Sequence, residues 1–205
     1  MTDPDVEASA PVTDSSPKPR RVAPFVVLGV LVVLVALFVV LAGSSSGPKD
    51  KVGLVESPLL GRPAPTVRST TLDGTPFDLA RRKGSWVVVN FFNSTCAPCR
   101  AEHPELVKFV EQQQALANDG AELYTMLQIN DDVDRVKSFF LTRGGDWPIV
   151  RDDEGRTNVD FGVALVPETF IINPDGVVVV RWAGQIDAET LGRLVQQQRD
   201  LYGLS

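Results

Sequence analysis

The sequence predicts an α/β domain, a mixed sheet flanked by helices behind a short N-terminal hairpin, with one N-terminal transmembrane helix ahead of it. Three observations predict this arrangement. Apolar runs such as Val87 to Phe92 and Glu122 to Ile129 alternate with stretches of helical periodicity. Asp73-Gly74 and Asn173-Pro174-Asp175-Gly176 lie between paired strand-like runs, as hairpin turns do. Phe25 to Ala42 is a run of 18 residues without a charged or strongly polar side chain, apolar all the way round rather than on one face.

The N-terminal elements follow from composition. Residues 1–21 are rich in Pro, Ser, Asp and Thr and read as a disordered cytoplasmic tail. Residues 22–42 read as a membrane anchor, since at ~1.5 Å per residue the apolar run approaches the thickness of a bilayer core. Lys18, Arg20 and Arg21 just before it place the N-terminus in the cytoplasm and everything after Ala42 outside, a single-pass protein of the cell membrane with an extracytoplasmic C-terminal domain. A cleaved signal peptide is the alternative, with Val40-Leu41-Ala42 before Gly43, but the run exceeds the ~7–15 apolar residues usual for one. Both readings export the rest. Residues 43–54 begin GSSSGPKD and read as a flexible linker, and residues 55–205 have the composition of a folded domain.

Within the domain, Thr66 to Leu72 and Thr75 to Leu79 are two short strands, confined by Pro63, Pro65 and Pro76 to a sheet edge. Arg81-Arg82-Lys83-Gly84 reads as a solvated basic turn before the first central strand. Leu106, Val107, Phe109, Val110 and Leu116 mark one buried face of a helix over 101–117 that Asn118-Asp119-Gly120 stops. Glu122 to Ile129 is a second central strand, and Val133 to Leu141 a helix ending at Gly144-Gly145. Asn130-Asp131-Asp132 lacks the spacing of a calcium loop and reads as helix capping. Trp147 to Val150 is a short strand, Thr157 to Val163 a brief helix, and Thr169 to Ile172 pairs with Val177 to Trp182. Asp187 to Leu201 closes the domain as an amphipathic helix, and helices are expected on both faces of the sheet.

Charge and cysteine usage restrict the function. A net charge of −6 with no basic stripe disfavours a nucleic-acid partner. The two cysteines, Cys96 and Cys99, stand two residues apart where a strand gives way to a helix. A structural disulfide usually closes a longer loop, and a zinc site needs four N/S ligands where this chain offers two Cys and one His. A Cys-x-x-Cys pair at such a junction is instead the redox arrangement of thioredoxin-like proteins. Cys96 at the helix N-terminus is the expected nucleophile, because unpaired N–H groups and the helix dipole favour its thiolate. Cys99, one turn further in, is the resolving thiol.

Several separate motifs carry a family resemblance. Val89-Asn90-Phe91-Phe92 leading to Cys96-Ala97-Pro98-Cys99-Arg100-Ala101-Glu102-His103-Pro104 is similar to the active-site strand and helix of the membrane-tethered, extracytoplasmic TlpA/ResA/CcmG (DsbE) proteins of bacteria. Leu165-Val166-Pro167-Glu168-Thr169-Phe170 resembles their cis-proline loop, and Asn173 to Val178 the hairpin after it. Arg181-Trp182-Ala183-Gly184 is closest to the CcmG/DsbE branch. The chain departs from the pattern at Thr95, where the family usually has Trp, which removes any partner contact through an indole.

The resemblance implies a thioredoxin-like fold and a redox-active Cys96–Cys99 disulfide as the only redox group, with no cofactor and no metal. It implies that Pro167 is cis, faces the dithiol, and leaves the Val166 backbone free to pair with an extended substrate segment. Glu102 takes the position of the functional acid of ResA-like proteins, a proton acceptor and donor for the resolving thiol. Asn90 stands where soluble thioredoxins carry a buried Asp. Glu168 contributes in the same cleft, and His103, the single histidine, reads as a surface residue. The implied activity is thiol-disulfide exchange outside the membrane, reducing disulfides for cytochrome c maturation. The partners are protein thiols and disulfides, notably apocytochrome c, and a membrane dithiol electron donor. Two alternatives stay open: a disulfide donor for secreted proteins, and a redox-sensing or docking module without turnover.

Overall fold

In the computed structural model, which describes residues 23–44 and 53–203, the chain divides into two units, Met1–Lys49 and Asp50–Ser205. The expected tail over 1–21 and most of the expected linker lie outside the described residues. In the first unit the apolar run forms one helix, α1 (Ala23–Ser44). Its described side chains run from Val26 to Phe38 and are exposed. Among the described residues, no helix is long and apolar enough to cross a membrane.

The second unit begins within the expected linker. Gly53–Leu54 forms β1, an edge strand, because its backbone pairs with the open side of the last strand (Leu54 with Trp182). Then follow β2 (Arg68–Thr70), β3 (Pro76–Asp78), β4 (Val87–Phe92), α2 (Ala97–Gln114), β5 (Glu122–Leu127) and α3 (Val133–Arg143). The chain closes with β6 (Ile149–Val150), α4 (Arg156–Asp160), β7 (Glu168–Ile172), β8 (Val178–Ala183) and α5 (Ala188–Gly203). Strand order in the main sheet is β1-β8-β7-β4-β5-β6, with β4, β5 and β6 parallel and β7 and β8 antiparallel. All six residues of β4 are buried, as a central strand's are, including the one polar residue of the run, Asn90.

The hairpin differs from the sequence expectation in placement. The strands β2 and β3 form a two-stranded sheet of their own, joined at the Asp73-Gly74 turn where Gly74 has φ of +87°. That sheet meets the main one at β6, through a bridge between Thr71 and Val150. The basic stretch starts as a 3-10 turn (Leu79–Arg82), with the Arg82 guanidinium over the Tyr124 ring rather than freely solvated.

Three helices share one face of the sheet. The crossovers β4-α2-β5 and β5-α3-β6 step in the same direction, so the right-handed rule puts both helices on the same side. There Phe109, Val136, Phe140 and Leu191 pack with Val88 and Phe92. The opposite face is covered by Val67 and Phe77 of the hairpin region and by Phe161, which caps α4, packed on Val89, Phe91 and Phe170.

Candidate active site

The geometry of the site begins in the loop between β4 and α2. Asn93 and Ser94 are buried polar residues, so each must find a partner. The Ser94 N–H donates to Asp131 Oδ2 at 2.6 Å, the Ser94 hydroxyl donates to Asp131 Oδ1, and Asn93 Nδ2 donates to Asn130 Oδ1 at 3.3 Å. The acidic run after β5 therefore has two duties. Asp132 caps α3, accepting from the Arg135 N–H at 2.8 Å, while Asp131 clamps the loop that presents the cysteines. Thr95 is exposed, and its hydroxyl folds back to Asn93 Oδ1 at 2.6 Å.

Cys96 is the N-cap residue of α2, with its Sγ accepting from the Cys99 N–H at 3.1 Å. A sulfur in that position receives the charge-stabilising effect of the helix N-terminus. Cys96 and Cys99 are joined in a disulfide with Cα atoms 5.3 Å apart. They are not equivalent: Cys96 is partly exposed and Cys99 fully buried. Across from them the Val166-Pro167 peptide is cis, and the Val166 carbonyl oxygen lies 3.5 Å from Cys96 Sγ. The structure thus brings Cys96, Cys99, Val166 and Pro167 into one place.

Glu102 lies one helical turn beyond Cys99 and is 2% exposed. Its Oε1 accepts from the Ile186 N–H at 3.0 Å and its Oε2 from Asn90 Nδ2 at 3.0 Å. Burial pushes its carboxyl up to about 8, against the two hydrogen bonds, which pull it down. Asn90 Nδ2 also donates to Thr169 Oγ1 at 3.1 Å, across the register pair Asn90 and Thr169 of β4 and β7. The segment after β8 is strapped to α2: Gln185 Nε2 donates to the Pro98 carbonyl at 3.0 Å and the Ala188 N–H to Glu105 Oε2 at 3.2 Å. Trp182 Nε1 holds the same segment through the Gln185 carbonyl at 3.0 Å.

Two residues stand elsewhere than the sequence places them. Glu168 is on the other face of the sheet from the dithiol, because it alternates with Thr169 along β7 and shares the side of Phe170. There it pairs with Arg181 at 2.8 Å and accepts from the Ala164 and Leu165 N–H groups, bracing the loop before Pro167 from behind. His103 is not a surface residue but 1% exposed, ringed by Phe139, Phe140 and Trp147, with Nε2 2.8 Å from the Gly144 carbonyl oxygen. Burial lowers its pKa. A side chain at Gly145 (φ +112°) would meet both the Trp147 and His103 rings, at 2.9 and 3.1 Å. In sequence Asp131 reads as part of a helix cap and Thr169 as part of a strand, and nothing singles out Gln185 or Ile186. Asp131 carried a signal for its second duty, its place in an acidic run longer than one cap requires.

Comparison with known proteins agrees with this geometry. A sequence model of the AhpC/TSA family matches residues 60–181. The chain is 35% identical over 161 residues to a protein of Paracoccus denitrificans named thiol:disulfide interchange protein DsbE homolog, covering 76% of this chain and 84% of the relative. It is 32% identical over 157 residues to the thiol:disulfide interchange protein HelX of Rhodobacter capsulatus, covering 75% and 85%. Among solved structures, a thiol:disulfide interchange protein of the thioredoxin family from Chlorobium tepidum superposes with a TM-score of 0.59 at 27% identity, over 70% of this chain and 98% of that one.

Proposed function

The chain belongs to the AhpC/TSA family and is a thiol-disulfide oxidoreductase of thioredoxin-like fold, and from that premise we propose that it reduces protein disulfides outside the cytoplasmic membrane. The observation that carries this reading is the asymmetry of the pair: a partly exposed Cys96 capping a helix in front of a buried Cys99 and a buried carboxyl. The reduced Cys96 thiolate attacks one sulfur of a substrate disulfide, forming a mixed disulfide and releasing the other substrate sulfur as a thiolate. Cys99 then gives its proton to the Glu102 carboxylate. Its thiolate attacks Cys96 Sγ, and the second substrate thiolate leaves with the electron pair of the broken bond. One substrate thiolate takes up the proton that Glu102 returns and the other takes one from solvent, so the substrate leaves as a dithiol and the enzyme as the disulfide, with no bound cofactor in the exchange. A carboxyl pushed up to about 8 suits proton exchange with a thiol near neutral pH. Val166 and Pro167 supply the wall against which an extended substrate segment lies.

The proposed substrate is apocytochrome c before haem attachment, the class that similarity to the DsbE branch implies, and the proposed donor is a membrane dithiol. The proposed anchor is the apolar run over 22–42. Trapping tests the exchange. Cys99→Ser should accumulate mixed disulfides with substrate through Cys96, apocytochrome c among them, and Cys96→Ser should not. A Cys99→Ser chain that captures nothing in cells would sink the reading. A reduction potential near about −120 mV, the range of strong disulfide donors, would reverse its direction.

A further inference from the structure

The amide of Asn90 is fully buried between two oxygen partners and holds both with the same atom. Its Nδ2 donates to Glu102 Oε2 and to Thr169 Oγ1, while its Oδ1, also buried, has no partner among the described residues. That arrangement suits an ionised Glu102. It fails when Glu102 carries a proton. Oε1 faces the Ile186 N–H, which can only donate, so the proton must sit on Oε2, and there it points at another donor. The orphaned Oδ1 is the acceptor that a protonated Oε2 lacks, and it belongs to the same amide.

We propose that Asn90 is a two-position relay that turns end for end as Glu102 gains or loses its proton. With Glu102 ionised, Nδ2 donates to Oε2 and Thr169. With Glu102 protonated, a half turn about χ2 brings Oδ1 to the same place, where it accepts from the Oε2 hydroxyl and from Thr169. The Thr169 hydroxyl can serve as acceptor in one state and donor in the other, and an asparagine χ2 is a soft, roughly two-fold torsion. Each state leaves one end of the amide unpaired, Oδ1 in the first and Nδ2 in the second, so neither locks the carboxyl permanently. Asn90 is accordingly a positioning residue for the proton step, and the inference rests on the acid role proposed for Glu102.

The surroundings leave that proton few other places to go. Along α2, Cys99 lies one turn before Glu102, and Glu105 one turn after is bonded to Lys108 and the Ala188 N–H. His103 is turned into its aromatic cage, and Asp187, on the segment before α5, is exposed and bonded to Thr190. From β4 and β7 the facing groups are Asn90 and Thr169, neither of which titrates. Among the described residues, the ionisable groups that share the buried side of α2 with Glu102 are Cys99 and His103; His103 is bonded to the Gly144 carbonyl, and Cys99 becomes a thiol once its disulfide with Cys96 is reduced.

Side-chain amide NMR on the full-length oxidised chain, where the cysteines do not titrate, tests the relay between pH 6 and 10. The expected result is a set of NOEs from the Asn90 Nδ2 hydrogens to Thr169 that is present at high pH and lost at low pH. Its midpoint should match that of the Glu102 carboxyl band in the infrared. NOEs that persist unchanged while Glu102 titrates would overturn the relay. Asn90→Leu, which removes the donor to the carboxylate, should raise the Glu102 midpoint by about one pH unit or more. An unmoved midpoint would also overturn it. If that variant does not fold, the measurement on the unsubstituted chain decides. The acid role stands or falls separately, on whether Glu102→Gln slows resolution of the Cys96 mixed disulfide.

Discussion

Glu102 and His103 are neighbours in α2, and burial moves their protons in opposite directions with opposite effects on stability. Glu102 rises from 4.5 in the unfolded chain to about 8, so between those values the folded chain holds a proton the unfolded chain has released. Stability therefore falls as pH rises through that window, at up to ~1.4 kcal/mol per unit. His103 is lowered from 6.5, so below that pH the unfolded chain takes up a proton the folded chain refuses, and stability falls on acidification. With the disulfide intact, Glu102→Gln should flatten the alkaline arm by a few kcal/mol in total and leave the acid arm in place. Urea denaturation at pH 5, 7 and 9 reads this directly, and a variant that declines in parallel with the parent would show that another group is responsible. The sequence revealed Cys96, Cys99 and Pro167 because each belongs to a contiguous motif. It left Glu102 ambiguous because its partners, Asn90 and Ile186, come from β4 and from the segment before α5. It misplaced His103 because the rings that bury it arrive from α3 and from Trp147.

Between elements, the pair Glu168 and Arg181 ties β7 to β8 and to the loop that delivers Pro167. Arg181 is 13% and Glu168 3% exposed at the side chain, so the carboxylate, above all, has no water to fall back on. Arg181 also donates to the Gly162 carbonyl at 2.8 Å and lies over the Phe170 ring. Arg181→Ala should therefore cost about 3–5 kcal/mol by leaving a buried carboxylate against two backbone N–H groups, well above the ~1 kcal/mol of an exposed pair. Arg181→Lys keeps the charge but not the second bond, and it should fall between. A loss under about 1 kcal/mol in urea for the alanine variant would show that the two backbone donors alone hold Glu168. Placement of elements was legible where burial is nearly symmetric: β4 and β5, apolar apart from Asn90 in the one and Glu122 and Thr125 in the other, read as central strands. It was less legible where the crossover rule acts, since periodicity does not say which face a helix takes, and α2 and α3 share one because β5 and β6 continue in the direction set by β4. The edge strand at Gly53–Leu54 was invisible, having too little side chain to show a pattern.

For the whole molecule, one chain carries an apolar helix, α1, and a folded unit from Asp50 that holds the dithiol. The reductase reading requires the dithiol to be outside the membrane, because a disulfide substrate persists in an oxidising compartment and not in a reducing cytosol. The basic residues Lys18, Arg20 and Arg21 before the apolar run support that orientation, since short positively charged flanks are retained on the cytoplasmic side. Cys96 is partly exposed, so a membrane-impermeant thiol reagent has access to it once the disulfide is reduced. In intact cells treated with an impermeant reductant, such a reagent should label Cys96, and the labelled chain should remain in the membrane pellet after carbonate extraction. Labelling that appears only after lysis would place the dithiol inside and remove the extracytoplasmic assignment. Labelling in intact cells with release into the soluble fraction would instead mean that the apolar run is cleaved, exporting the same chemistry without its anchor.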